Sequence, residues 1–272
     1  MTATRGQELV VREHFRNASS SWGERYRRPP RRMSDLDLLL RRETAHRMLR
    51  SVLADQTQTL RVLDLGCGSG DVLDGLPRDA MRVVGIDLVP EMVSAAAARR
   101  PADQFLAADA RRLPIADASL DVVTCLGVLE YLPDAAAALR AMAVALRRGG
   151  YLIVSFPNRA SLCRRLSKAE SVVERKLLSL ARLRRPRRGG DLAAPKYQHT
   201  ARSPREARDL LQSAGFSIVD WTFHSYGLWG KLGQFRLSLD VSRWLSRIFG
   251  RESFVSRTWA CTMVMLARRT VS

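Results

Sequence analysis

Short apolar runs alternate with amphipathic stretches along most of the chain from Leu60 onward. Leu60–Leu65 predicts a first strand, Met81–Ile86 a second, Gln104–Ala107 a third, Leu120–Cys125 a fourth and Tyr151–Phe156 a fifth. Helical periodicity falls between them, over 71–77, 90–99 and 134–146. Strands that alternate with helices predict βαβ units and a parallel sheet covered on both faces. After a break, Ser203-Pro-Arg-Glu starts a helix with proline at its first position, and this helix runs to Gly215. Phe216–Phe223 predicts a sixth strand and Trp259–Ala267 a seventh. Between them, 229–249 predicts an amphipathic helix carrying Leu237, Leu239, Val241, Trp244, Leu245 and Ile248. Upstream, 6–54 reads as a helical prelude. Its second helix carries apolar positions from Leu36 to Leu53, with Asp35 as the expected cap. Arg28-Pro29-Pro30-Arg31 separates it from an earlier amphipathic piece with Val10, Val11, Phe15 and Trp22.

Composition adds a core and removes some classes. The chain of 272 residues is 46% apolar, enough for one sizeable α/β domain with additions. No run of roughly 18 apolar residues predicts a transmembrane helix, and the first residues lack a secretory apolar stretch, so a cytoplasmic protein is expected. Cys67, Cys125, Cys163 and Cys261 show neither disulfide nor zinc spacing and are expected as reduced thiols without a metal. The net charge of +18 is unevenly spread. From Arg61 to Asn158 ten basic residues face twelve acidic ones, whereas from Arg159 to Arg188 eleven face two.

The chemistry gathers at the ends of the predicted strands. The first strand runs into Asp64-Leu-Gly66-Cys67-Gly68-Ser-Gly70-Asp71. Alternate glycines permit a tight turn and let a ligand lie against backbone. The spacing differs from the dinucleotide Gly-x-Gly-x-x-Gly, and no Gly-Lys-Ser/Thr follows to make a triphosphate loop. Asp64 at the mouth of the turn, joined by Asp71, would repel a pyrophosphate and suit a ligand with an ammonium group and a sulfonium. Asp87 ends the second strand, where a carboxylate accepts from ribose hydroxyls. Ala108-Asp109-Ala110 follows the third strand, where a carboxylate can accept from an adenine amino group. Leu126-Gly-Val-Leu-Glu-Tyr131-Leu-Pro-Asp134 follows the fourth. All four lie at carboxyl ends of parallel strands, where open α/β sheets bind ligands.

Together, Val62-Leu-Asp-Leu-Gly-Cys-Gly-Ser-Gly, Gly85-Ile-Asp87, Ala108-Asp109, Leu113-Pro114, Ser119-Leu-Asp121 and Leu146-Arg-Arg-Gly-Gly150 resemble the class I S-adenosylmethionine-dependent methyltransferases. The likeness covers 60–157, extends to Ala214-Gly215-Phe216, and is nearest the branch that includes quinone-biosynthesis and natural-product enzymes. It implies a Rossmann-like, seven-stranded, mostly parallel sheet of order 3-2-1-4-5-7-6, with strand seven antiparallel and helices on both faces. The expected organisation is an N-terminal helical lid over 1–58 and a methyltransferase domain over 59–272, with a basic helical insertion at 159–196. S-adenosylmethionine is the implied cofactor. The implied contacts are Asp64, Gly66, Cys67, Gly68 and Gly70 around the methionine portion, and Asp87 with Leu88 at the ribose. Asp109 with Ala110 would hold the adenine, and Leu126 would lie beside the acceptor's entrance.

A sulfonium is already an activated leaving group, so aligning the acceptor and excluding water supply much of the rate. A base helps if the acceptor is a hydroxyl; His199 and His224 are the candidates, with His14 a weaker one, and Tyr131, Tyr197 and Tyr226 can hydrogen-bond the acceptor. Phe15, Trp22 and Tyr26 can line the lid. O-methylation of a small-molecule, natural-product or lipid-like acceptor is expected from the family resemblance. The segment with Leu162, Leu166, Val172 and Leu177–Leu183 among its arginines reads as a basic amphipathic helix suited to an anionic membrane. RNA phosphates are the less favoured partner, because the segment has no aromatic residues for base stacking. A non-catalytic partner or sensor that binds the cofactor also fits the residues.

Overall fold

In the computed structural model of the chain, the described residues are 2–54, 56–169, 172, 199–227 and 235–270. The element order is α1 (Thr2–Trp22), α2 (Glu24–Arg27), α3 (Met33–Ala54), β1 (Leu60–Leu65), β2 (Met81–Asp87), α4 (Pro90–Arg99), β3 (Gln104–Ala107), β4 (Leu120–Cys125), α5 (Ala135–Ala145) and β5 (Leu146–Pro157). It continues with α6 (Pro204–Ser213), β6 (Phe216–His224), α7 (Arg236–Ile248), α8 (Phe254–Trp259) and β7 (Thr262–Arg269). The sheet has the order β3-β2-β1-β4-β5-β7-β6, parallel except for β7, which runs antiparallel to both β5 and β6. The expected strand order and the antiparallel β7 are therefore both present.

Alternation along the strands divides two cores. Leu63, Leu65, Val123 and Cys125 point to one face, where Ala138, Leu139 and Met142 of α5 and Ala207 and Leu211 of α6 cover them. Leu60, Val62 and Val122 point to the other, under Ala45, Met48, Leu49 and Val52 of α3. Two covered faces explain why β4 is buried at every position. α6 is held at its start by the full capping box of Ser203 and Glu206.

Several local expectations change. Residues 71–77 form turns and no helix. Gly75 there has φ +82° and Pro77 closes the stretch, yet Val72, Leu73 and Leu76 still reach the α3 core, so apolar spacing alone misled. Asp35 lies inside the first turn of α3 and caps nothing. It is buried, accepting from Arg25 Nε at 2.8 Å and from the Arg31 amide at 3.3 Å. β5 starts five residues earlier than expected, because Leu146 pairs with Leu120 before a bulge. Trp259 ends α8, and β7 begins at Thr262. Most of the basic amphipathic stretch, 170–171 and 173–198, lies outside the described residues, as does 228–234. No helix among the described residues is long and apolar enough to cross a membrane.

Candidate functional site

The carboxyl ends of β1, β2, β3 and β4 meet where the strand order reverses between β1 and β4, and a cavity opens there. Its enclosed volume is about 120 Å³, and it opens to solvent at one side. Its floor comes from Gly66 and Gly68 after β1, from Ile86, Asp87 and Leu88 at the end of β2, and from Ala108, Asp109 and Ala110 after β3. Gly127, Val128 and Tyr131 after β4 form one side. Val11, Phe15 and Trp22 of α1 form the wall opposite.

The glycine turn is built for close approach. Gly66 and Gly68 have φ of +74° and +52°, the left-handed region that suits glycine. A Cβ on Gly66 would collide with Val128 Cγ2, so side chains are kept out of the space between the turn and Val128. The amides of Gly66 and Cys67 donate to Ile86 O at 2.6 and 3.1 Å, which locks the turn onto β2. Asp87 completes the lock: the Gly68 amide donates to its Oδ2 and the Val89 amide to its Oδ1, each at 2.9 Å. Burial pushes the Asp87 carboxyl upward, and those backbone donors oppose the shift.

Not every expected residue reaches the cavity. Gly66, Gly68, Asp87, Leu88, Asp109 and Ala110 line it. Asp64 sits behind the turn, buried, accepting from Thr124 Oγ1 at 2.7 Å, and burial pushes its carboxyl up to about 6. Cys67 is buried beside Gly85, and its Sγ lies 3.7 Å from Gly68 O. Gly70 permits close packing against Ala96 and Arg100 rather than against a ligand. Leu126 lines a neighbouring cavity. Asp71 does not add charge at the mouth. It is buried and paired with Arg27 and Arg99, with Ser69 Oγ donating at 2.5 Å, so it ties α2 and α4 to the turn.

Arg111 is a residue the sequence did not single out. It donates to both oxygens of Asp109, at 3.0 and 2.6 Å, and to Glu8 Oε1 of α1 at 2.7 Å. This guanidinium holds the Asp109 carboxyl below its ordinary range. An adenine amino group would share Asp109 with Arg111 rather than have it alone.

The neighbouring cavity shares Trp22, Gly127 and Tyr131 with the first. His14, Arg25, Tyr26, Arg32, Asp37, Arg41, Glu130, Arg164 and His199 also line it. The Tyr131 ring packs against His199 and Phe15, with centroids 4.7 and 5.3 Å apart. Burial and the nearby Arg164 and Arg41 lower His199 to about 4. Glu130 is buried, its Oε1 lies 3.8 Å from Arg41 Nη1, and burial raises its carboxyl. His224 lines neither cavity. It is 1% exposed, with Nδ1 3.0 Å from Ser225 Oγ and 3.5 Å from Asp37 Oδ1, so it cannot touch an acceptor and instead backs a buried carboxylate. Among the described residues no group of three or more His, Cys, Asp or Glu side chains is placed to hold a metal.

The first cavity suits S-adenosylmethionine in its chemistry. It offers backbone-lined space at the glycines, a carboxylate at the end of β2, and apolar walls from Ile86, Leu88, Val89 and Met92. Residues 63–154 match the family model described as a methyltransferase domain. A ubiquinone biosynthesis O-methyltransferase of Xylella fastidiosa is 31% identical over 193 residues, spanning 67% of this chain and 71% of that protein. A probable S-adenosylmethionine-dependent methyltransferase of Mycolicibacterium smegmatis is 29% identical over 185 residues, covering 67% and 63%. The crystal structure of magnesium protoporphyrin IX methyltransferase from Synechocystis PCC 6803, solved with bound S-adenosylhomocysteine, shares the fold at 20% identity and a TM-score of 0.61. That match covers 97% of this chain and 100% of that one. The glycine turn, the order of the sheet and these relatives agree, and the chain belongs to the class I S-adenosylmethionine-dependent methyltransferases.

Proposed function

We propose that the chain methylates an oxygen of a small-molecule, natural-product or lipid-like acceptor held in the second cavity. The observation that carries this reading is the junction of the two cavities at Trp22, Gly127 and Tyr131, where His199 stands against Tyr131. When bound, S-adenosylmethionine supplies a methyl group on a sulfonium that departs readily. The residues' work is then to position it, to present the acceptor and to keep water away. Gly66 and Gly68 would take the methionine portion, Asp87 the ribose and Asp109, shared with Arg111, the adenine. The helices within 1–58 would act as the lid over both ligands, above a methyltransferase domain of 59–272.

His199 is uncharged at neutral pH, so its imidazole can accept a proton from an acceptor hydroxyl. Arg25, Arg32, Arg41 and Arg164 outnumber Asp37 and Glu130 around the cavity, a positive field that favours an ionised phenolic oxygen over a protonated amine. The similarity to quinone O-methyltransferases supports the same acceptor class. His199→Ala is expected to lower kcat about 100-fold, the usual scale of a general base, with cofactor affinity unchanged. The test is mass spectrometry of products formed from hydroxylated aromatics, amines and RNA. Methyl transfer only to amines or RNA, or an unchanged kcat for His199→Ala, would refute it.

Asp64 gives a pH signature. It lies behind the glycine turn, so a cofactor cation across that turn would favour its carboxylate only at a distance. Cofactor affinity should be steady above about pH 7 and fall by less than about ten-fold as pH drops through about 6. Stability runs the other way. A carboxyl whose folded value lies above its unfolded one favours the folded state at low pH, and that contribution is lost as pH rises through about 6. Calorimetric affinities that stay flat from about pH 5 to about pH 8 would remove Asp64 from the ligand's electrostatic neighbourhood.

A further inference from the structure

α7 carries its apolar stripe on the outside. Leu237, Val241, Trp244 and Ile248 fall within roughly 60° of one another around the helix, and all four are exposed, Leu237 at 75% and Trp244 at 59%. Phe235, just before the helix, is 65% exposed. The inward face is held by Leu239, which packs with Met33, Leu36 and Leu40 of α3, and by the buried Ser242. A soluble helix ordinarily buries its apolar stripe, and contiguous exposed stripes of this size mark interaction surfaces.

What borders the stripe selects the partner. Arg236, Arg243 and Arg247 run along one edge of α7, with Asp240 as the acidic residue among them. A groove opens beside that edge, lined by Arg28, Pro29, Pro30, Arg31, Leu36, Arg236, Leu239, Asp240 and Arg243. Arg31, Arg236 and Arg243 form no ion pair with any described residue, and Arg28 has only Glu24 at 3.9 Å. Four guanidinium groups facing one carboxylate form a site for anions, next to side chains that prefer hydrocarbon. An interfacial helix combines these two features, with apolar side chains entering the acyl boundary and arginines meeting lipid phosphates.

We infer that the α7 face and its arginine groove dock the protein onto the surface of an anionic lipid bilayer. The surface is distinct from the basic stretch after Arg159, and the inference does not depend on the acceptor class proposed above. It also has a spatial consequence: Arg31 lines the groove while the next residue, Arg32, lines the acceptor cavity. Docking would bring that cavity close to the membrane.

Flotation of the full chain with two kinds of vesicle tests this, phosphatidylcholine alone and phosphatidylcholine mixed equally with phosphatidylglycerol. The wild type is expected to float only with the mixed vesicles and to detach at high salt. The pair Arg236→Gln and Arg243→Gln is expected to weaken partitioning about 30-fold, given the usual contribution of each basic residue near such a surface. The pair Leu237→Asp and Trp244→Asp should abolish it. Unchanged S-adenosylmethionine affinity in both pairs shows that the fold is retained. Variants that float like the wild type would overturn the inference, as would equal binding to both vesicles or binding to neither. A dimer in sedimentation that Trp244→Asp dissolves would also overturn it, by making the face a contact between copies.

Discussion

Asp87→Ala is expected to weaken S-adenosylmethionine binding by about 150-fold or more, the scale of two hydrogen bonds to a charged acceptor. Two losses combine. The carboxylate stands where ribose hydroxyls can donate to it, and it also accepts from the amides of Gly68 and Val89. Without those bonds the glycine turn keeps only its amide bonds to Ile86 O, so the backbone surface proposed for the methionine portion loosens as well. Asp87→Asn keeps one acceptor oxygen and should fall between the two. Calorimetry with the cofactor and its demethylated product is the measurement, and wild-type affinity in Asp87→Ala would place the ribose elsewhere.

Asp37→Ala is expected to cost about 3–5 kcal/mol of stability, the scale of a buried ion pair deprived of one partner. Asp37 is 2% exposed and accepts from Arg41 Nη2 at 2.6 Å, Ser225 Oγ at 2.7 Å and Thr262 Oγ1 at 2.7 Å. It thereby fastens α3 to the end of β6 and the start of β7. Arg41 and its other partners hold the carboxyl at about 2 against the opposing effect of burial. A depressed value stabilises the folded state above the unfolded carboxyl's range, and this contribution is lost as pH falls through about 2. At neutral pH it is fully present. Removing it leaves the Arg41 guanidinium buried with Glu130 at 3.8 Å as its remaining carboxylate. Urea unfolding checks the size, and a loss under about 1 kcal/mol would show that solvent reaches the pair. Replacing Asp37 and Arg41 together with Leu and Met should recover part of the loss, because no charge is then stranded.

The strands were legible because burial on both faces writes itself as continuous apolar runs, as in Leu120–Cys125, whereas their order came from the family resemblance. Gly66, Gly68, Asp87, Leu88, Asp109 and Ala110 of the cavity floor were legible because strand ends and glycine turns are local. Long-range pairing was not. Asp37 and Arg41, spaced i and i+4, read like any solvated helix pair, yet Asp37 is buried and contacts β7, and Arg41 is only 12% exposed. Arg111 looked like a loop arginine, and nothing local announces Glu8 as its partner 103 residues away. Asp71 looked like cofactor electrostatics but pairs with Arg27 and Arg99. For α7 the period was visible, but a period does not tell which face turns inward. The contacts of Leu239 with α3 decide that.

Because Val11, Phe15 and Trp22 of α1 wall the cavity, exchange of the spent cofactor would require that helix to lift. Glu8 is fastened through Arg111 to Asp109, so the contacts that hold the wall include a chain of charges that contains Asp109, the carboxylate proposed to meet the adenine. Ionic strength should then act on residence time more than on chemistry. A burst of one turnover followed by a slower, salt-accelerated steady state would be its kinetic trace, with the helix acting as the clock of the cycle.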